Sequence, residues 1–82
     1  MYYVYILKSE KFTDKFYIGI TTNLQKRINE HNTESNEGFT KLYAPWYLET
    51  YIVFQNENLA KEFEVYLKTH SGRAFLRKRL IH

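Results

Sequence analysis

A small α+β fold is what this sequence predicts: a three-stranded antiparallel sheet flanked by three helices, in the order strand, strand, helix, strand, helix, helix. Three observations carry that prediction. Runs of alternating, β-branched and aromatic residues occupy 2–8, 16–20 and 46–54, and the first two are joined by a link too short for a crossover. Helical periodicity occupies 21–36, 56–68 and 73–81, each stretch opened by residues that cap helices. Finally, 82 residues at 44% apolar and 18% aromatic can build one core in one domain, 1–82, without space for a separate recognition module.

The first strand places Tyr3, Tyr5 and Leu7 on one face and Tyr2, Val4 and Ile6 on the other. Ser9 to Lys15 is polar and turn-like, so the second strand returns as a hairpin. Tyr17 and Gly19 share a face of that strand, leaving a phenol beside a position with no side chain. Such a gap admits a ligand backbone, although a twist or bulge glycine reads the same way. In the first helix Thr22-Asn23-Leu24-Gln25 fits a capping box with Thr22 as N-cap. Leu24 and Ile28 form its apolar line, and Arg27 and His31 form a neighbouring i,i+4 line at the edge of a cleft.

The stretch 33–44 is polar, contains Gly38 and reads as a loop. Pro45 then precedes the third strand. The second helix is expected to bury Leu59, Phe63, Tyr66 and Leu67. Ser71-Gly72 separates it from the last helix, with Ser71 as N-cap and Leu76 and Leu80 buried.

Composition narrows function. The absence of cysteine excludes disulfides and thiolate metal sites, and the first residues are too short a run for a signal peptide or a membrane span. A cytoplasmic protein is the expectation. The charge of +3 is unevenly spread: residues up to Glu64 carry seven Lys or Arg against nine Asp or Glu, and all five charged residues beyond it are basic. A segregated positive end suits a polyanion, although a solvated helical face has the same composition. Lys26, Lys41, Arg73, Arg77 and Lys78 are candidate contacts to a DNA backbone. Trp46 and Tyr43 can stack on an unpaired base, but Trp46 suits a core role better. His31, His70 and His82 have no zinc-site spacing.

Read in order, Tyr17-Ile18-Gly19-Ile20-Thr21-Thr22-Asn23-Leu24, Lys26-Arg27, His31-Asn32, Pro45-Trp46, Ala60 with Glu64, and Leu67-Lys68-Thr69-His70-Ser71-Gly72-Arg73 resemble the GIY-YIG nuclease superfamily along essentially the whole chain. The nearest likeness is to small stand-alone bacterial proteins similar to the nuclease module of the excinuclease. The first signature motif keeps its tyrosine as Tyr5 but has Tyr3 and Val4 where the family has glycine and isoleucine. The asparagine that many active members carry after the glutamate is missing from 68–75. The resemblance implies a metal-dependent DNA endonuclease core, serving repair or processing, with a protein partner supplying target specificity. It implies Tyr5 and Tyr17 as the signature tyrosines, Arg27 as the catalytic arginine, His31 as the proton partner and Glu64 as ligand to a single Mg²⁺ or Mn²⁺. A non-hydrolysing nucleic-acid-binding or partner-docking module on the same scaffold is the second reading.

The chemistry of these residue types agrees with that implication. One or two carboxylates suffice to hold Mg²⁺ while water fills its other positions; unaided, Glu64 reads as a surface partner of Lys61 or Lys68. Arg27 offers a planar fork for phosphate oxygens, or a partner for Glu30. A phenol of pKa near 10 needs roughly 4 kcal/mol of help to reach about 7, which an arginine, a metal ion and an imidazole could supply together. Either Tyr5 or Tyr17 could then take a proton from the attacking water, with His31 accepting it onward. Alternatively, His31 is a helix C-terminal histidine favoured by the dipole.

Overall fold

A computed structural model describes residues 1–33 and 38–81. Its elements are β1 (Tyr2–Ser9), β2 (Phe16–Thr21), α1 (Leu24–Thr33), α2 (Gly38–Leu42), β3 (Trp46–Phe54), α3 (Glu57–Leu67) and α4 (His70–Arg79). The three strands form one antiparallel sheet in the order β2-β1-β3, so the α+β class holds. Residues 34–37 of the expected loop, and His82, lie outside the described residues.

The central strand β1 has a neighbour on each edge and is covered on both faces, which is why its sequence is an almost unbroken apolar run. Its two side-chain rows feed two cores. Val4 and Ile6 pack with Ile18, Ala60 and Leu67 of α3 and Leu76 of α4. Tyr5 and Leu7 pack on the opposite face with Trp46, and with the partly buried Leu24 and Ile28 of α1. The hairpin between β1 and β2 is closed by Ser9, whose hydroxyl accepts from the backbone N–H of Lys11 and Phe12 and donates to the Tyr43 carbonyl.

Several local expectations are corrected. The N-cap of α1 is Asn23, whose side chain accepts from Lys26 N–H at 3.1 Å; Thr22 is not used, and Gln25 instead reaches forward to Asn29. Thr69, not Ser71, caps α4, accepting from Gly72 N–H at 3.1 Å. That shift starts α4 at His70 and leaves Lys68 as the last link to α3. A five-residue helix, α2, stands inside the stretch that reads as loop. It is a single turn opened by Gly38 at φ +56, too short for any periodicity to reveal. Leu59 and Tyr66 are exposed at 54% and 40%; the sheet-facing positions of α3 are Ala60 and Leu67. The wide apolar circumference of α3 let two registers fit, and the small Ala60 wins because it permits close approach to β1.

Candidate functional site

The site forms where the Tyr5 face of the sheet meets α1. Tyr5 and Gly19 are directly paired across β1 and β2, and Leu7 pairs with Tyr17, so the two tyrosines are diagonal neighbours with ring centroids 6.3 Å apart. A Cβ built on Gly19 would stand 2.4 Å from the Tyr5 hydroxyl. The space beside Tyr17 is therefore taken by Tyr5's own phenol and not by a ligand. Glycine at 19 lets that ring lie flat across the neighbouring strand.

One helical turn separates Arg27 from His31, so both arrive over this ring from α1. Tyr5 Oη lies 2.9 Å from Nε2 of His31, and Arg27 donates through Nε to the same oxygen at 3.4 Å. Arg27 also donates to Glu30 Oε1 at 3.0 Å, so it pairs with its helix neighbour while reaching the phenol. The Tyr17 ring sits 4.6 Å from the His31 ring and edge-on to Trp46.

Electrostatics assign the protons. Burial pushes the Tyr5 phenol up to about 12, against the pull of Arg27; nearby Tyr17 and the Glu64 carboxylate add to the rise. The expected lowering of a phenol toward neutrality is thus corrected for Tyr5, because desolvation of a phenolate outweighs one arginine. Burial, with Arg27 second, holds His31 below its ordinary 6.5, so it is a neutral imidazole; the helix-dipole reading is overruled by its 4% exposure. The hydrogen-bond order is then fixed: Arg27 Nε–H to Tyr5 oxygen, Tyr5 O–H to Nε2 of His31. Tyr5 and Glu30 together push the Arg27 guanidinium further up, so it is permanently charged.

Glu64 stands on α3, on the other side of the sheet from the Tyr5 ring's own packing layer, yet its charge is felt at the Tyr5 hydroxyl. Its side chain is 16% exposed and its Oε2 lies 2.5 Å from Lys68 Nζ. Lys68, Tyr17 and Arg73 line a cavity of about 220 Å³ together with Phe16 and Ile18. The site therefore wraps the free edge of β2, from α1 on one face to the α3–α4 junction on the other. A larger hollow of about 450 Å³ is lined entirely by the exposed face of α1 and its cap, Lys26 and Glu30 included, and is a groove along a solvated helix.

Of the basic candidates, Arg73 and Arg77 stack over the Phe16 ring at 5.5 and 5.7 Å, and Arg73 borders the Tyr17 cavity. Lys78 lies exposed on the same helix. Lys26 and Lys41 belong to α1 and α2, and Lys26 leans toward Glu30 at 4.0 Å. Two residues escaped sequence reasoning. Asn32 clamps the start of β3 by accepting from Trp46 N–H at 2.7 Å and donating to its carbonyl at 3.0 Å, which fixes Trp46 under Tyr17. The signal was its place beside His31; no chemistry of asparagine alone announces such a clamp. Lys68 is the other, read as one more cation of a basic tail. Among the described residues no three His, Cys, Asp or Glu side chains cluster as a metal site, and no helix is long and apolar enough to cross a membrane.

This sheet, with paired tyrosines bound to an arginine and a histidine, defines a nuclease-type module. The chain belongs to the GIY-YIG catalytic domain family, whose sequence model matches residues 1–79. It is 38% identical over 68 residues to the UPF0213 protein CPE1444 of Clostridium perfringens, covering 83% of this chain and 71% of that one. It is also 33% identical over 76 residues to the UPF0213 protein SH2523 of Staphylococcus haemolyticus, covering 93% and 90%. The structure-specific endonuclease subunit SLX1 of Debaryomyces hansenii is 38% identical over 69 residues, 77% of this chain but 20% of that protein. Among solved structures, the UPF0213 protein BH0048 of Bacillus halodurans superposes with a TM-score of 0.56 at 26% identity, over 95% of this chain and 84% of that one.

Proposed function

We propose that the chain is one GIY-YIG nuclease-like domain that hydrolyses a DNA phosphodiester, as an endonuclease, with Tyr5, Tyr17, Arg27, His31 and Glu64 as its catalytic set. The observation that carries this reading is the buried chain of hydrogen bonds from Arg27 through Tyr5 to a neutral His31. A buried polar chain is a costly way to fill a core, and here it ends in a base that is ready to accept a proton.

The relay removes the difficulty of a phenolate. Tyr5 oxygen takes a proton from the attacking water while its own proton passes to Nε2 of His31. The water O–H and the Tyr5 O–H break, a new O–H forms on Tyr5, and the imidazolium carries the charge. Because burial and Arg27 hold His31 below its ordinary range, that proton passes readily to solvent or to the departing oxygen. Tyr17, lying on the His31 ring at the cavity wall, orients the water or the phosphate. The permanently charged Arg27 guanidinium, beside the Tyr5 oxygen, stabilises the added negative charge.

Glu64 suits a divalent ion: it is a hard oxygen donor, mostly covered, and already has a cation against it in Lys68. Mg²⁺ or Mn²⁺ bound there would supply charge compensation for the phosphate and leaving oxygens. Lys26, Lys41, Arg73, Arg77 and Lys78 would hold the DNA backbone without reading sequence. The setting is the cytoplasm, in DNA repair or processing, with a partner protein choosing the target.

Nicking of supercoiled plasmid with Mg²⁺ or Mn²⁺ tests this. Wild type should cleave, Arg27→Ala should fall by about 10²–10³-fold, and Glu64→Gln should lose metal-dependent cleavage. Equal cleavage by all three proteins would identify a contaminant and leave a binding or docking module as the function.

A further inference from the structure

Lys68 touches both halves of the site. Its ammonium lies 2.5 Å from Glu64 Oε2, and the same side chain lines the cavity with Tyr17 and Arg73. Its position explains this reach. Lys68 is the C-cap of α3, one residue before the Thr69 cap of α4, so its flexible stem springs from the corner between the two helices. The carboxylate is 16% exposed and the lysine side chain 48%, so the anion is the fixed member of the pair and the cation the mobile one.

The geometry points to Lys68 as a cation handed from Glu64 to a DNA phosphate. In the metal-free protein it neutralises the carboxylate. A divalent ion on Glu64 displaces it, because two cations cannot share one carboxylate without strong repulsion. The released ammonium has a phosphodiester to meet in the cavity, where Arg73 supplies a second positive charge beside Tyr17. The pair is an i,i+4 helix contact, and such contacts are worth little, so the handover is cheap. Linkage makes it reciprocal: metal promotes DNA binding, and DNA promotes metal binding. This rests on the reading of Glu64 as the metal ligand.

Two measurements test it, with thermal melting by circular dichroism to verify each variant's fold. The first is Mn²⁺ binding without DNA, read from the electron paramagnetic resonance signal of free Mn²⁺. Lys68→Met and Lys68→Gln should bind Mn²⁺ roughly three- to tenfold more tightly than wild type, and Glu64→Gln should bind much more weakly. The second is fluorescence anisotropy of a short labelled DNA duplex in chelator. Glu64→Gln should tighten DNA binding at least threefold, and that gain should vanish when Lys68→Met is also present. Mn²⁺ affinity unchanged by either Lys68 substitution, or a Glu64→Gln gain that persists without the lysine, overturns the handover while leaving Glu64 as ligand. Equal Mn²⁺ binding by wild type and Glu64→Gln overturns both.

Discussion

At the scale of single residues, the protons on Tyr5 and His31 are set by burial, and this has a consequence for stability. His31 is neutral in the folded protein because its pKa lies below the ordinary 6.5 that it regains on unfolding. Above about 6.5 neither state holds the extra proton. As pH falls through that value the unfolded chain takes up a proton that the folded chain refuses, so stability declines until the folded pKa is passed. Urea unfolding between pH 7.5 and about 5 should show this loss, and His31→Gln should flatten that part of the profile. Nitrogen NMR shifts of the His31 ring should report the proton on Nδ1, leaving Nε2 as acceptor.

The members of the proposed catalytic set were legible in the sequence because each carries chemistry in its side-chain type and keeps its place in an ordered motif. Their protonation was not. A phenol flanked by an arginine invites a lowered pKa, and only the 1% exposure of Tyr5 reveals that desolvation wins. Nor was the use of Gly19, since an empty position looks alike whether a ligand or a neighbouring ring fills it.

At the scale of elements, the α3–α4 corner is the tightest feature of the fold. A Cβ on Gly72 would stand 1.7 Å from the Tyr66 carbonyl oxygen, a backbone atom that cannot rotate away. Thr69 braces the same turn, donating to that carbonyl at 2.6 Å and capping α4 through Gly72 N–H. Gly72→Ala should therefore destabilise the protein by about 2–3 kcal/mol through forced separation of the helices. Thr69→Ala should cost about 1 kcal/mol through the lost cap alone. Denaturant unfolding checks both, and the alanine at 72 should also weaken DNA binding by moving Arg73 from the cavity wall.

Strands and long helices announced themselves through periodicity, and all three strands stand where the alternating and β-branched runs place them. Caps were harder, because Thr22-Asn23 and Thr69-His70-Ser71 each offer rival oxygens within a residue or two. The choice between them depends on where the helix must enter to seat Leu24 or Leu76 against the sheet, and that is a tertiary matter.

For the whole molecule, the charge asymmetry acquires a location. Arg73, Arg77 and Lys78 share α4, and the first two lie over Phe16 of the edge strand, beside the cavity that Tyr17 lines. If three or so phosphates are neutralised along this edge, the logarithm of the binding constant should fall with log salt at a slope of roughly −2 to −3. Arg73→Ala with Arg77→Ala should reduce the magnitude of that slope by about 2, weakening all DNA sequences alike. Anisotropy titrations over a salt series measure it, and a slope untouched by both changes would move the DNA to the α1–α2 side, where Lys26 and Lys41 lie.

The ring of Tyr5 lying across Gly19 ties the fates of two codons. Alanine at 19 clashes with Oη at 2.4 Å and Cζ at 2.5 Å, so merely deleting the hydroxyl gives no relief. A shorter aliphatic such as leucine at position 5 should relieve it, making the doubly substituted chain melt higher than the summed single effects allow. Cleavage, by contrast, would be absent from every member of that set. Descendants that drift through alanine at 19 can recover their shape but not their trade.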